Sequence, residues 1–594
     1  MKTIRDIYIN RHRWPLALVA LTVALILACG TAAPPAPTEP AQPVAPAAPQ
    51  TPDSGSGTDQ PAPADQPTPT PVPQATAAPQ EPASGRNKVV VVTEAEPASV
   101  GTWSEGCSGE IHSMGCQELT QDYIGWIDTK TLEAVLLSGF TKYEMIEPNR
   151  WRYTIREGVK FHNGEPFNAE AAKLGLDWNG VGSNPGNSLS YTGVTTGEVV
   201  DEFTVDVVCE DPCPIFPRTG IFTEFVAPEW WATASEAEKA GTSNGFGPYR
   251  IIGYNQGVDT QFEIYEDYIP SEAFDAQAPT IQFITHTYRA EATVRAAMLI
   301  AGEADWAADI GFEEKQRVPQ FRQSGTTEVY TLVLDLMWHP ELQKQKVRLA
   351  LAHAIDCQGL LDSLFHGEMK CHAAIAPPGS VGITPENSKP REYNPDLARQ
   401  LLAEAGYDPA NAIDVNTRPG SNVRGLELME AVVTYWREVG VTSNLNAWGD
   451  LAKAREIQLS GCGQFTTEPG FKEKLDCAQR EPPGPFFATS HAYEIATSDE
   501  ILDMQRQGQA RMGCFGRSSR VCFPELQKKI ETAAATPAGP ERTRLMTEIA
   551  DIAYEEVYFI PLFAVQMVYG LSDAVEWEPM YAPRFRGNTM RFKQ

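Results

Sequence analysis

The chain has 594 residues and sets 48 Lys and Arg against 77 Asp and Glu, a formal net charge of −29. It is too long for one ordinary core, and at 42% apolar residues too hydrophobic to be disordered throughout, so a multi-lobed soluble protein is expected. The acidity excludes a non-specific nucleic-acid or anionic-membrane binder, because the summed field repels a polyanion and no basic run stands apart from it.

Residues 1–28 read as an export signal. Lys2, Arg5, Arg11 and Arg13 form a cationic head, and residues 14–28 are an apolar run shorter than the about 20 residues a bilayer helix needs. The run ends in Leu25-Ile26-Leu27-Ala28-Cys29-Gly30, which resembles the bacterial lipobox, making Cys29 the expected lipidation site; an uncleaved anchor is the alternative. Either way the bulk of the protein is expected outside the cytoplasm, held to the membrane on its periplasmic or cell-surface side. Residues 29–85 are the expected tether: between Thr31 and Gly85 stand 16 prolines and no aromatic, Lys or Arg, so the segment cannot bury enough surface to offset its ordering entropy.

Globular sequence starts near Asn87 with the strand-like run Lys88-Val89-Val90-Val91-Val92. The stretches 151–155 and 203–207 alternate with the period of a half-buried strand, whereas Val294, Ala297, Met298 and Ala301, and then Val347, Ala350, Leu351 and Ala354, recur at helical spacing. Asn394-Pro395-Asp396 supplies an N-cap, a first-turn proline and an acid at the positive helix end, and Gly406 ends that helix. The pattern predicts mixed α/β structure without a short internal repeat.

With Cys29 set aside, the cysteines fall into near neighbours: Cys107 with Cys116, Cys209 with Cys213, Cys357 with Cys371, Cys462 with Cys477, and Cys514 with Cys522. An even count in an exported chain points to disulfides, although sequence alone does not fix the pairing. A metal site is the competing reading, but Cys209 and Cys213 are the only close pair and no histidine follows at finger-like spacing. No metal or cofactor is expected.

Catalytic patterns fail. The sequence holds no Gly-Lys pair for a phosphate loop and no His-Glu-x-x-His for zinc hydrolysis. Gly241-Thr242-Ser243-Asn244-Gly245 matches a nucleophile elbow in letters, yet it leads into an apparent strand at 246–252 where that turn must enter a helix.

Residues 151–170 (WRYTIREGVKFHNGEPFNAE) resemble the signature of the extracellular solute-binding proteins of ABC importers, in the peptide/nickel class known as family 5. Further matches follow in the family's order: Gly245-Phe246-Gly247-Pro248-Tyr249-Arg250, Ala301-Gly302-Glu303-Ala304-Asp305, Val347-Arg348-Leu349-Ala350 with Ala354-Ile355-Asp356, Tyr393-Asn394-Pro395-Asp396, Leu401 to Tyr407, then Arg542, Ile549 and Ile560-Pro561-Leu562. Within the signature, Asn163-Gly164 reads as a turn and Asn168 as a cap, so these residues, His162 included, are expected to shape the lobe and not to touch a ligand.

The resemblance implies an α/β, bilobal periplasmic-binding-protein-like fold (type II, cluster C-like), a monomer that closes around a hinge and passes its solute to the permease. One lobe comprises residues 86–320 and 560–594, with a subdomain at about 125–235, and the other 321–559. It also implies a cleft lined by the residues after the first strand, among them Glu94 and Glu96, and by an aromatic of the second lobe that Trp448 matches. Peptide binders of the family place an aspartate beyond that tryptophan, in an Asp-Pro segment, to hold the peptide's amino group. The stretch between Cys462 and Cys522 lacks Asp-Pro, with Glu468-Pro469 a loose stand-in, so a peptide-like solute leads while nickel, sugar or another small solute stays open. A sensory or chaperone role on the same fold, and a secreted hydrolase, are the competing functions.

Overall fold

The computed structural model describes residues 86–97, 99–103, 119–128, 131, 133–180, 193–272, 278–417, 424–449, 491–498, 502–516, 518–580 and 585–593. The export signal, Cys29, the tether, Cys107, Cys116, Cys462, Cys477 and Glu468-Pro469 lie outside them. In chain order the strands are β1 (Lys88–Thr93), β2 (Gly125–Ile127), β3 (Ala134–Leu136), β4 (Phe140–Glu147), β5 (Arg150–Ile155), β6 (Val194–Asp201), β7 (Thr204–Cys209) and β8 (Tyr249–Asn255). There follow β9 (Asp259–Ile264), β10 (Phe283–Tyr288), β11 (Trp306–Ala308), β12 (Gln320–Leu334), β13 (Ile413–Thr417), β14 (Ser443–Ala447), β15 (Ala492–Ser498) and β16 (Phe559–Leu571).

The valine run forms β1, which lies parallel between β10 and β11 and is buried on both faces, as a β-branched strand without polar alternation requires. Alternation in β5 turns Trp151, Tyr153 and Ile155 into an aromatic core while Arg152 reaches Asp206 of β7 at 2.7 Å. The strands β4-β5-β7-β6 make a separate four-stranded sheet. The helix Ala169–Asn179 packs on it, capped as the sequence predicts by Asn168, whose Oδ1 accepts the Ala171 N–H at 3.1 Å.

The signature residues behave as structure. Gly164 takes φ +92 in the turn, and the His162 ring lies between the carbonyls of Gly247 (3.0 Å) and Ser243 (3.4 Å). Gly245 and Gly247 permit a close backbone approach, since a Cβ on them would stand 2.1 Å from the Thr120 carbonyl oxygen and 2.5 Å from the Gln121 nitrogen. Ser243, the elbow candidate, is buried with its hydroxyl against Thr102 (2.5 Å) and Thr120 (3.0 Å), and the chain continues into β8.

A ten-stranded sheet, in the order β14-β13-β15-β12-β16-β11-β1-β10-β9-β8, unites the two halves. Its centre is the antiparallel pair β12 and β16, of 15 and 13 residues. One end, where Gln320 faces Leu571, lies beside β11; the other, where Val333 faces Phe559, lies beside β15. Pairing is interrupted between Gly325 and Val329, so residues 326–328 bulge at mid-crossing. This is the two-lobed, twice-crossed α/β architecture the resemblance implies. The joints expected at about 320 and 560 fall at the first residues of the crossing strands, and the bulge lies further along.

Two buried arginines lock strand ends in the two lobes. Arg295, on the helix Ala292–Ala301, donates to the carbonyls of Arg289 (2.6 Å), Ala290 (2.7 Å), Ala308 (2.9 Å) and Asp309 (2.5 Å). Arg348, on the helix Gln345–His353, does the same for Leu342, Gln343, Glu556 and Val557. Three cysteine pairs are bonded among the described residues: Cys209 with Cys213, Cys357 with Cys371, and Cys514 with Cys522.

Candidate functional site

In an open α/β sheet a ligand sits beyond the carboxyl ends of the parallel strands. Here β1 and β11 end on one side of the crossing pair, and β13 and β14 on the other. Glu94 directly follows β1 and is half-buried; Asp309 directly follows β11 in the left-handed region, at φ +49. Burial pushes the Asp309 carboxyl up to about 6; the Arg295 guanidinium opposes this from 3.9 Å, and the charges of Glu94 and Glu313 add to it. Arg295 cannot neutralise the group fully, because its N–H donors already serve backbone carbonyls.

The second lobe brings a cation and an indole. Arg424, at φ +56, heads the helix Gly425–Glu438 and holds Nη2 3.9 Å from Glu313 Oε1, a contact between the lobes. Trp448 directly follows β14; its backbone N–H donates to Thr417 O at 2.9 Å and its indole Nε1 to Asn416 Oδ1 at 2.7 Å, with the ring half-buried. Sequence reasoning missed Asp309, Glu313 and Arg424. No local signal marks a lone arginine before a helix, although the strand end ahead of it points to the region.

Glu96, the other acid expected after β1, is anchored on the first-lobe side. Its Oε1 accepts the Tyr254 hydroxyl at 3.0 Å and the Gly257 N–H at 2.7 Å, which fastens it to the β8–β9 hairpin. Asp503 lies in the stretch between Cys462 and Cys522 and is buried against Arg542, with Nε to Oδ2 at 3.0 Å and Nη2 to Oδ1 at 2.9 Å. Next to it Leu502, at φ +50, packs on Ile127 and Ile221 of the first lobe, an apolar counterpart to the Arg424 contact. Among the described residues no group of three His, Cys, Asp or Glu side chains is placed to hold a metal ion, and no helix is long and apolar enough to cross a membrane.

The raised Asp309 pKa carries a signed prediction. A carboxyl whose folded pKa lies above its unfolded value binds protons more tightly when folded, so it adds stability as pH falls from about 6 toward 4 and costs stability above 6. Asp309→Asn is therefore expected to stabilise the unliganded protein at pH 7 by about 1 to 2 kcal/mol, less than a full two-unit shift because the side chain is 24% exposed, and to have little effect at pH 4. His162 and His339, both lowered to about 4 by burial, act oppositely in the same window, so the comparison is variant minus parent in urea melts at each pH. A difference that is flat with pH would refute the assignment.

Two α/β lobes joined by paired crossing strands define a protein that captures a solute by hinge closure. The chain belongs to the bacterial extracellular solute-binding proteins of family 5, whose middle-region model matches residues 140–466. It is 26% identical over 450 residues to the glutathione-binding protein GsiB of Salmonella typhimurium, covering 73% of this chain and 81% of that protein. The identity to GsiB of Escherichia coli is 26% over 434 residues, covering 70% and 78%. Among solved structures, a Pseudoalteromonas dipeptide-binding protein in complex with Met-Leu superposes with a TM-score of 0.69 at 18% identity, over 85% of this chain and all of that one. NikA from Staphylococcus aureus in complex with Ni(L-His)2 superposes at 0.66 and 14%, over 85% of this chain and all of that one. At such identities these structures establish the fold alone.

Proposed function

We propose that this protein captures a small peptide-like solute carrying both an amino and a carboxylate group, and delivers it to the membrane permease of an ABC importer. The observation that carries the reading is the opposite charge that meets where Arg424 reaches Glu313 at 3.9 Å, with Asp309 in the field of Glu94 and Glu313, and Trp448 at the end of β14. A zwitterion bridging the lobes satisfies both sets only when they are closed, which is the differential affinity that shifts an open/closed equilibrium. The sequence relative named for glutathione supports the same class. The lobes are residues 86–320 with 560–594, and 321–559, and the solute undergoes no chemistry. The working form is a monomer, anchored through acylated Cys29 and the 29–85 tether; Cys29→Ser is expected to release it from membranes.

Mass spectrometry of molecules released on denaturing the purified protein tests the ligand class. It is paired with thermal midpoints measured against dipeptides, glutathione and Ni(L-His)2, since a ligand that binds only the folded state raises the midpoint with concentration. A midpoint that rises with the nickel complex and ignores every peptide would sink the peptide-like assignment.

A further inference from the structure

The three described disulfides differ in access. Cys209, Cys213 and Cys514 are buried and Cys522 is half-buried, whereas Cys357–Cys371 is the described bond with both cysteines half-buried; the two line one cavity of about 40 Å³ together with His372, Arg391, Tyr554 and Leu562. Cys357 is the first residue of the helix Cys357–Phe365, where the N-terminal N–H groups and helix dipole stabilise a thiolate. The Asp356 carboxylate is the opposing charge, with Oδ1 taking the Gly359 N–H at 3.0 Å, and the Arg391 guanidinium is the cation on the cavity wall. His372, beside Cys371, is 8% exposed and directs Nε2 to the Ala376 carbonyl at 2.8 Å. A carbonyl only accepts, so Nε2 carries the proton and Nδ1 is a bare acceptor. Burial lowers the His372 pKa, which keeps the ring neutral.

We propose that Cys357–Cys371 is a thiol-exchange site for a small carboxylate-bearing thiol, with Cys371 Sγ attacked and Cys357 the leaving sulfur. The incoming thiol attacks as its thiolate, its proton passing to solvent, and forms a bond to Cys371 Sγ. The bond between the two cysteine sulfurs breaks and its electron pair leaves on Cys357 Sγ. A second thiol completes reduction by attacking the mixed disulfide, so two thiols are oxidised to their own disulfide and two cysteines are reduced. Arg391 takes the carboxylate of the thiol. A thioredoxin-like protein is disfavoured because the sulfurs open into a small cavity and not onto a flat face.

The exchange has a structural consequence. Cys371 pairs with Phe563 of β16, and the next residue donates its N–H to Leu562 O at 2.9 Å, so the bond ties a helix to a crossing strand. The closed loop also carries Glu368, which holds Lys315 Nζ at 2.8 Å on the approach to β12. Opening the bond loosens both attachments at the hinge.

The test titrates the folded, unmodified protein with L-cysteine, quenches in acid, alkylates, and maps peptides by mass. The expected result is that Cys357–Cys371 opens at a cysteine concentration at least tenfold below that needed for Cys209–Cys213 or Cys514–Cys522, with transient cysteinylation on Cys371 and alkylation on Cys357. Cysteamine, which lacks the carboxylate, should open it several-fold more slowly, and Arg391→Gln should erase that difference. Simultaneous opening of all three bonds, cysteinylation at Cys357, or equal rates with the two thiols in the parent protein would each overturn the proposal, and none of these readings depends on a variant folding.

Discussion

Arg542→Met is expected to cost about 3 to 5 kcal/mol of folding stability, the range for removing one partner of a fully buried ion pair. Both side chains are 2% exposed, and the arginine also serves Gln505 Oε1 at 2.7 Å and the carbonyls of Ala533 (2.6 Å) and Thr536 (3.1 Å). Methionine matches the stem but leaves Asp503 charged, buried and without its counter-ion, and takes a donor from Gln505 Oε1 and Thr536 O; the Ala533 carbonyl keeps the Thr536 N–H. The double variant Asp503→Leu with Arg542→Met should recover part of the loss, because the desolvation of both ions disappears together. Urea denaturation measures both, and a single-variant loss under about 1 kcal/mol would show that water reaches the pair. The effect should extend to closure as well. Asp503 fixes the chain beside Leu502, and Leu502 is the apolar contact with Ile127 and Ile221 across the lobes. Arg542→Met protein that still folds should therefore be more open in small-angle scattering than its parent.

Elements that local forces decide were legible in the sequence. The valine run of β1, the alternation of β5, and the helix Pro395–Ala405 with Asn394 Oδ1 on the Leu397 N–H (2.9 Å) and Gly406 at φ +58 all follow from side-chain period and cap chemistry. The twice-crossed arrangement came from the resemblance, since nothing in the residues of β12 or β16 says which strands they will lie beside. Site residues were less legible for a specific reason. Glu94 and Glu96 are two residues apart and chemically alike, yet one meets the charges of Arg295 and Asp309 while the other meets Tyr254 and Gly257. That division depends on where a hairpin more than 150 residues away returns to the sheet. Asp309 and Arg424 share a left-handed backbone that neither residue type advertises, and an exposed arginine before a helix looks like any solvated charge until the opposite lobe supplies Glu313.

The second large effect is on binding, and it separates the two halves of the proposed site. Arg424→Ala should weaken capture of a carboxylate-bearing solute by about 2 to 3 kcal/mol, the scale of a hydrogen bond to a charged group that closure removes from water. Its unliganded stability should change little, because at 38% exposed and 3.9 Å from Glu313 the resting ion pair is weak. Trp448→Ala should weaken binding by about 1 to 3 kcal/mol for any solute with an apolar face, with or without a carboxylate, because what is lost is a flat surface. Trp448→Phe should restore most of that, since the indole N–H is already engaged by Asn416 and is not needed by the solute. Isothermal titration of the parent and of each variant with a peptide and with its C-terminal amide gives the affinities required. The amide should be insensitive to Arg424→Ala and fully sensitive to Trp448→Ala. If instead Trp448→Ala lowers the melting temperature of unliganded protein by several degrees and leaves affinity alone, the ring belongs to the core of the second lobe, against which its inner edge packs, and the aromatic wall of the cleft must be sought elsewhere.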